Sequence, residues 1–180
     1  MASGIKSFNS CSYLLSSIFL LFYFMNGHYE LTKDDYIIST DAAKLDINII
    51  HHYLSVESYW AQQIPLEVVE KSIDNSLCFG VYYNNEQIGF ARIITDKATF
   101  AYLADVFILP EHRGKGLSKW LMTAIHAHPE LQRLRRWVLG TKDAHGLYEQ
   151  FGWTRLDEDM RSRYMQKNDR DIYKNWNKEQ

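Results

Sequence analysis

The part of this sequence best equipped for chemistry is Arg113-Gly114-Lys115-Gly116-Leu117-Ser118. It follows an apolar, strand-like run and precedes residues with helical spacing, so its N–H groups fall where a helix begins and have no partners inside that helix. Amides that point outward together, at the positive end of a helix dipole, suit a small polyanion such as a pyrophosphate. The two glycines remove the Cβ atoms that would hold the anion away, and Arg113 and Lys115 add mobile positive charge beside it. Two common phosphate patterns fail here. A P-loop needs a first glycine that the residues ahead of Gly116 do not supply, and a dinucleotide fingerprint needs a third glycine where Lys119 stands. The alternative is a glycine-containing loop that binds nothing. The carboxylate on the preceding strand is Asp105, which alternation puts on the opposite face from Ala104. It is either a proton acceptor or a strand residue bonded to a neighbouring loop or helix.

Other reactive residues carry less. His51-His52 and His126-x-His128 are spaced so that the rings of each pair do not face one site, and no partner carboxylates accompany them, so no metal site is expected. Arg133, Arg135 and Arg136 flank a short strand without a larger basic surface, which reads as a solvated edge.

The elements that must position the turn follow from periodicity. Asp41 can cap a helix running to about residue 59, and Pro65 begins a second helix to about residue 73. Residues 77–83 and 87–95 read as strands joined by Asn84-Asn85-Glu86, and residues 100–109 as a third strand ended by Pro110. A helix over 114–126, a short strand at 137–139 and a helix over 143–151 stopped by Gly152 follow, with a last strand after them. The order describes an α/β (α+β) fold with a mixed sheet and helices on both faces.

Composition bounds the function. The chain has 180 residues, 46% of them hydrophobic, which suits one domain with a real core, expected over residues 25–180. Twenty Lys+Arg against twenty-two Asp+Glu leave a net charge of −2, so nothing draws the molecule to nucleic acid. Cys11 and Cys78 form no C-x-x-C pair, and a reducing compartment is the simpler expectation. Residues 1–24 contain an apolar run, 11–24, without charge. It is shorter than the roughly 20 residues a spanning helix needs and has no small-x-small cleavage site before Met25. It is either a short membrane anchor or a mis-assigned start, the second being favoured. The expected location is cytoplasmic, with membrane association as the alternative if the leader is genuine.

Taken whole, Val106-Phe107-Ile108-Leu109-Pro110-Glu111-His112-Arg113-Gly114-Lys115-Gly116-Leu117 resembles the core motif of the GNAT superfamily of N-acetyltransferases: a strand, then Q/R-x-x-G-x-G/A, then a helix. Glu111 at the usual Gln/Arg position and Ser118 at a position where Gly or Ala is common are departures that remove no essential amide. Downstream, residues 143–153 (DAHGLYEQFGW) resemble the second motif, A-x-x-L-Y-x-x-x-G-F. The resemblance runs from about residue 77 to 155 and is weaker over 36–76.

The resemblance implies a mixed, mostly antiparallel central sheet flanked by helices, and an N-acetyltransferase using acetyl-CoA as cosubstrate, with no metal. Arg113, Gly114, Lys115, Gly116, Leu117 and Ser118 would hold the pyrophosphate, and Val106, Phe107 and Ile108 would line the pantetheine arm. A backbone N–H from a splayed or bulged strand near Phe107 would polarise the thioester carbonyl. Tyr148 would be the general acid for the departing thiolate. Asp105 is the candidate base, with some relatives carrying the base at the position of Ala104, and a water relay is a further alternative. The acceptor would be a primary amine of a small molecule or a protein, with Tyr59 and Trp60 on its side of the site. Two other readings remain: a non-catalytic acyl-CoA-binding module, against which Tyr148 argues, and a membrane-tethered interaction protein in which the leader matters most.

Overall fold

The computed structural model describes residues 27–176, so the apolar leader and every expectation attached to it lie outside the described residues. Six strands form one sheet in sequence order: β1 (Glu30–Lys33), β2 (Tyr36–Ser39), β3 (Leu77–Tyr83), β4 (Glu86–Thr95), β5 (Phe100–Ile108) and β6 (Arg136–Leu139). All neighbours are antiparallel except β5 and β6, which run parallel. The mixed, mostly antiparallel sheet is the one expected. β1 and β2 were not anticipated, because the charged ELTKDD run hides their alternation; Asp34, with φ +52°, makes the turn between them.

Over residues 41–59 the chain also departs from the one continuous helix expected there. Asp41 caps only a short 3-10 turn, and Asp46 caps the true helix α1 (Ile47–His52), accepting from the Asn48 and Ile49 N–H groups. α1 then widens into a π-helical turn over Tyr53–Glu57, closed by Ser58 N–H to Tyr53 O. Pro65 precedes α2 (Leu66–Asp74), as its fixed φ favours. Asn84 and Asn85, both at positive φ, turn β3 into β4. α3 (Leu117–Ala127) crosses from β5 to β6, and α4 (His145–Glu149), α5 (Glu158–Arg163) and α6 (Ile172–Asn175) follow. No strand follows α4 among the described residues, in contrast to expectation.

Apolar side chains pack on both faces of the sheet. α3 turns Leu117, Leu121, Met122, Ala124 and Ile125 onto one face, over Phe79, Val81, Ile93 and Leu103. Ile50, Tyr53, Leu54, Val69 and Ile73 from α1, the π-helical turn and α2 cover the other, over Cys78, Phe90 and Phe107. Each large aliphatic or aromatic side chain fully buried in this way contributes roughly 1.5–3 kcal/mol.

The pairing of β4 with β5 contains one irregularity. Phe90 pairs with Phe107 and Arg92 with Ala104, so two residues of β5, Asp105 and Val106, stand opposite Ala91 alone. The extra residue reverses the alternation of β5. Ala101 and Leu103 face the α3 side, yet beyond the bulge Ile108 takes that side and Phe107 faces α1.

Candidate active site

Asp105 sits in the bulge with φ +55°, a left-handed conformation that costs an L-residue about 1–2 kcal/mol and that Asp tolerates better than most. Its carboxylate is held from two sides. Arg92 Nε donates to Oδ2 at 2.7 Å, and Trp60 Nε1 donates to Oδ1 at 3.1 Å. Arg92 also donates to Ser76 Oγ at 3.2 Å. The ion pair is largely enclosed, with side-chain exposures of 15% and 10%. Arg92 was not foreseen as a site residue; its pairing with Asp105 depends on strand register, which local spacing does not reveal.

The bulge lies where the sheet opens. β5 pairs with β6 only from Phe100↔Arg136 to Leu103↔Leu139, so residues 104–108 keep a strand neighbour on the β4 side alone. Because Leu109 N–H bonds Ile88 O, alternation turns the peptide groups of Phe107 toward β4 and those of Val106 and Ile108 toward the gap. The three residues expected to line an extended arm thus divide. Val106 and Ile108 present main-chain groups to the opening, whereas Phe107 stacks its ring on Tyr53, with centroids 3.9 Å apart. The N–H groups available at the opening are accordingly those on either side of Phe107.

At the end of β5 the glycine turn takes the expected form. Gly114 and Gly116 both have φ +77°, a Cβ on either would meet no atom within 4 Å, and Gly116 is the N-cap of α3. The first α-helical bond of α3 comes from Trp120 N–H to Gly116 O, leaving the preceding amides without helical partners. The turn therefore offers both donors and room for a pyrophosphate. Leu117 is buried in the core, so only its backbone can serve, while Lys115 is exposed. Arg113 differs from the mobile cation expected. Its Nε donates to Ile108 O at 2.9 Å and its Nη2 to the Tyr53 hydroxyl at 3.0 Å, and its own N–H is taken by Pro110 O. It ties the end of β5 to the π-helical turn. Burial raises the Tyr53 pKa, and the guanidinium beside it works in the opposite direction.

On the far side of the gap, α4 carries Tyr148, which is 8% exposed and packs near Trp153 with ring centroids 6.0 Å apart. Its hydroxyl makes no hydrogen bond to the described residues. Burial, with smaller contributions from Tyr59 and Asp143, pushes its pKa up to about 12. Tyr59 links the two sides: its hydroxyl accepts from Lys142 N–H at 2.8 Å, and Lys142 Nζ lies 5.6 Å from the centre of its ring. Tyr59 and Trp60 are 47% and 41% exposed, so two aromatic faces stand open beside Asp105. A cavity of about 890 Å³ lies elsewhere, between β6, α4 and α5, and shares Tyr148 with this site but not the glycine turn. The gap is the candidate site because the bulge and the outward-facing main-chain groups lie along it, and Tyr148 lies near Tyr59, whose neighbour Trp60 bonds Asp105.

Two of the histidines weighed as metal ligands, His51 and His126, have structural partners. His51 Nε2 lies 3.0 Å from Ile64 O, and His126 stacks on Trp153, whose Nε1 donates to His126 Nε2 at 3.2 Å.

Known proteins share this fold. Residues 74–155 match the family model of the acetyltransferase (GNAT) domain. A candidate acetyltransferase from Gibberella zeae is 35% identical over 137 residues, covering 65% of this chain and 77% of that protein. The crystal structure of a GNAT-family candidate acetyltransferase from Xanthomonas campestris is 51% identical, with a TM-score of 0.73, over 77% of this chain and 96% of that one. A GNAT-family acetyltransferase from Elizabethkingia anophelis, solved with acetyl-CoA bound, shares the fold at 18% identity, with a TM-score of 0.53 over 69% of this chain and 80% of that one.

Proposed function

The chain belongs to the GNAT superfamily of acetyltransferases, and from that premise we propose that it transfers the acetyl group of acetyl-CoA to a primary amine of a small molecule or a protein. Acetyl-CoA supplies an activated acetyl thioester. The amides of Gly114, Lys115, Gly116, Leu117 and Ser118 would hold its pyrophosphate, and Val106 and Ile108 would hold its arm along the open edge of β5. An alkylammonium with pKa near ~10.4 is neutral about once in several thousand molecules at pH 7, so the amine must give up a proton first. Asp105 is proposed to accept it; Arg92 and Trp60 each occupy one lone pair of its carboxylate and leave others open. Tyr148 is proposed to supply the proton for the departing sulfur. The observation that supports this reading is the opening beside residues 104–108, where β5 has no β6 neighbour, the bulge holds Asp105 at positive φ, and the glycine turn follows at the end of the strand. We place the reaction in the cytoplasm, where acetyl-CoA is available.

The test is a screen of primary amines with acetyl-CoA, reading thiol release. Amine-dependent release is expected. Binding of acetyl-CoA without release by any amine would leave the non-catalytic acyl-CoA-binding reading in its place.

A further inference from the structure

Resting on that acetyl-transfer reading, we propose that Tyr173, near the end of the chain, forms the outer wall of the amine site and selects acceptors by the substituent their nitrogen carries. α6 is brought to this side of the sheet by a distant contact: Trp176 Nε1 donates to Glu67 Oε1 on α2. The same turn packs Tyr173 against the cluster that contains Cys78, Phe90 and Phe107, on the face covered by α1 and α2. Tyr173 is half-buried, with its ring centroid 6.5 Å from that of Trp176. Its hydroxyl feels both members of the ion pair at the bulge: burial raises its pKa most, Asp105 adds to the rise, and Arg92 opposes it.

Two elements far apart in sequence thus bring aromatic rings to one ion pair. Trp60 bonds Asp105 directly, and Tyr173 packs from α6 against the cluster that contains Cys78, the register partner of Arg92 on β4. The charges of Arg92 and Asp105 offset each other, so what distinguishes one amine from another here is mainly its fit to the aromatic walls. A cationic nitrogen is drawn to aromatic faces, and a hydrocarbon substituent gains contact from them. With the reacting nitrogen at Asp105, the Tyr173 ring is placed to meet the substituent beyond it.

The experiment compares wild type, Tyr173→Ala and Tyr173→Leu against ethylamine, butylamine and phenethylamine. Each amine is read twice, by thiol release with acetyl-CoA and by amine-induced change in melting temperature. In Tyr173→Ala, KM for phenethylamine should rise about tenfold, the scale of a lost apolar wall, while KM for ethylamine and for acetyl-CoA stays within about twofold. Tyr173→Leu keeps an apolar side chain for packing against the cluster and should show the same order of amines with a smaller rise. Unchanged amine KM values and ranking in both variants would overturn the proposal. An equal rise for all three amines would do the same, since it would mark general loosening. If wild type binds amines in a Tyr173-dependent way without releasing thiol, the wall stands and the catalytic reading falls. If wild type neither binds nor acetylates any of the three, the proposal is overturned with it.

Discussion

Tyr148 holds its proton more firmly than an ordinary phenol. With a pKa near 12, against ~8.5 for a thiol, full transfer to a free thiolate is uphill by roughly 3.5 pH units, about 5 kcal/mol. The proton is therefore expected to move as the carbon–sulfur bond breaks, with the hydroxyl acting first as a hydrogen-bond donor to the sulfur. Tyr148→Phe keeps the ring and should retain acetyl-CoA binding, seen as a ligand-induced rise in melting temperature, while losing about 10²-fold in kcat. Wild-type kcat in this variant, with any active amine, would remove the acid role. The sign of the shift sets the pH dependence. Because the folded pKa is raised, the proton stays in place up to the vicinity of pH 12, so Tyr148 should cause no alkaline fall in kcat between pH 7 and 10. Asp105 gives the second test at this scale. Asp105→Asn should slow the reaction mainly below the pKa of the amine and recover in part at high pH, as expected for a lost proton acceptor. It also leaves the Arg92 guanidinium enclosed without its counter-charge, so a loss of about 3 kcal/mol in stability is expected from denaturant titration. Equal slowing at every pH would assign Asp105 to holding the bulge alone.

At the scale of elements, the turn between β5 and α3 depends on glycine for backbone shape. A side chain at Gly116 would strike no protein atom, but φ +77° is strained for a β-branched residue. Gly116→Val should therefore lower the melting temperature of the ligand-free protein by a few degrees and abolish most of the shift induced by acetyl-CoA, through the obstructed anion site. An undiminished shift would move the phosphate site elsewhere. This turn was legible in the sequence because glycine spacing, strand end and helix start are local signals. The hairpin at Asn84-Asn85 was legible for the same reason. The role of Arg113 was not, since the same guanidinium can reach solvent or turn inward to Ile108 O and Tyr53, and only the position of the π-helical turn decides. Nor could residue types show that Asp105 is the extra residue in the bulge, because the reversal of alternation at Phe107 depends on pairing with β4. Tyr173 and Trp176 gave no local signal, their partners lying on α2 and on the sheet.

For the whole molecule, one ligand that binds only the folded state should stabilise it by mass action. At acetyl-CoA concentrations near 100 times Kd the gain is about 2.7 kcal/mol, which for a chain of this size corresponds to a rise of roughly 5–10 °C in melting temperature. No shift at millimolar acetyl-CoA would contradict the proposed cosubstrate. The sheet itself ends in two very short strands, β1 and β6, each of four residues. β6 bonds β5 on one side, and among the described residues no backbone hydrogen bond reaches its outer side. Such a rim is a template on which a second chain could add its own strand and so begin an aggregate. Arg133, Arg135 and Arg136, all exposed, crowd the start of this rim with like charge. A second chain adding its strand there would meet this cluster of positive charge, so the arginines act as gatekeepers of colloidal stability, most effective at low ionic strength.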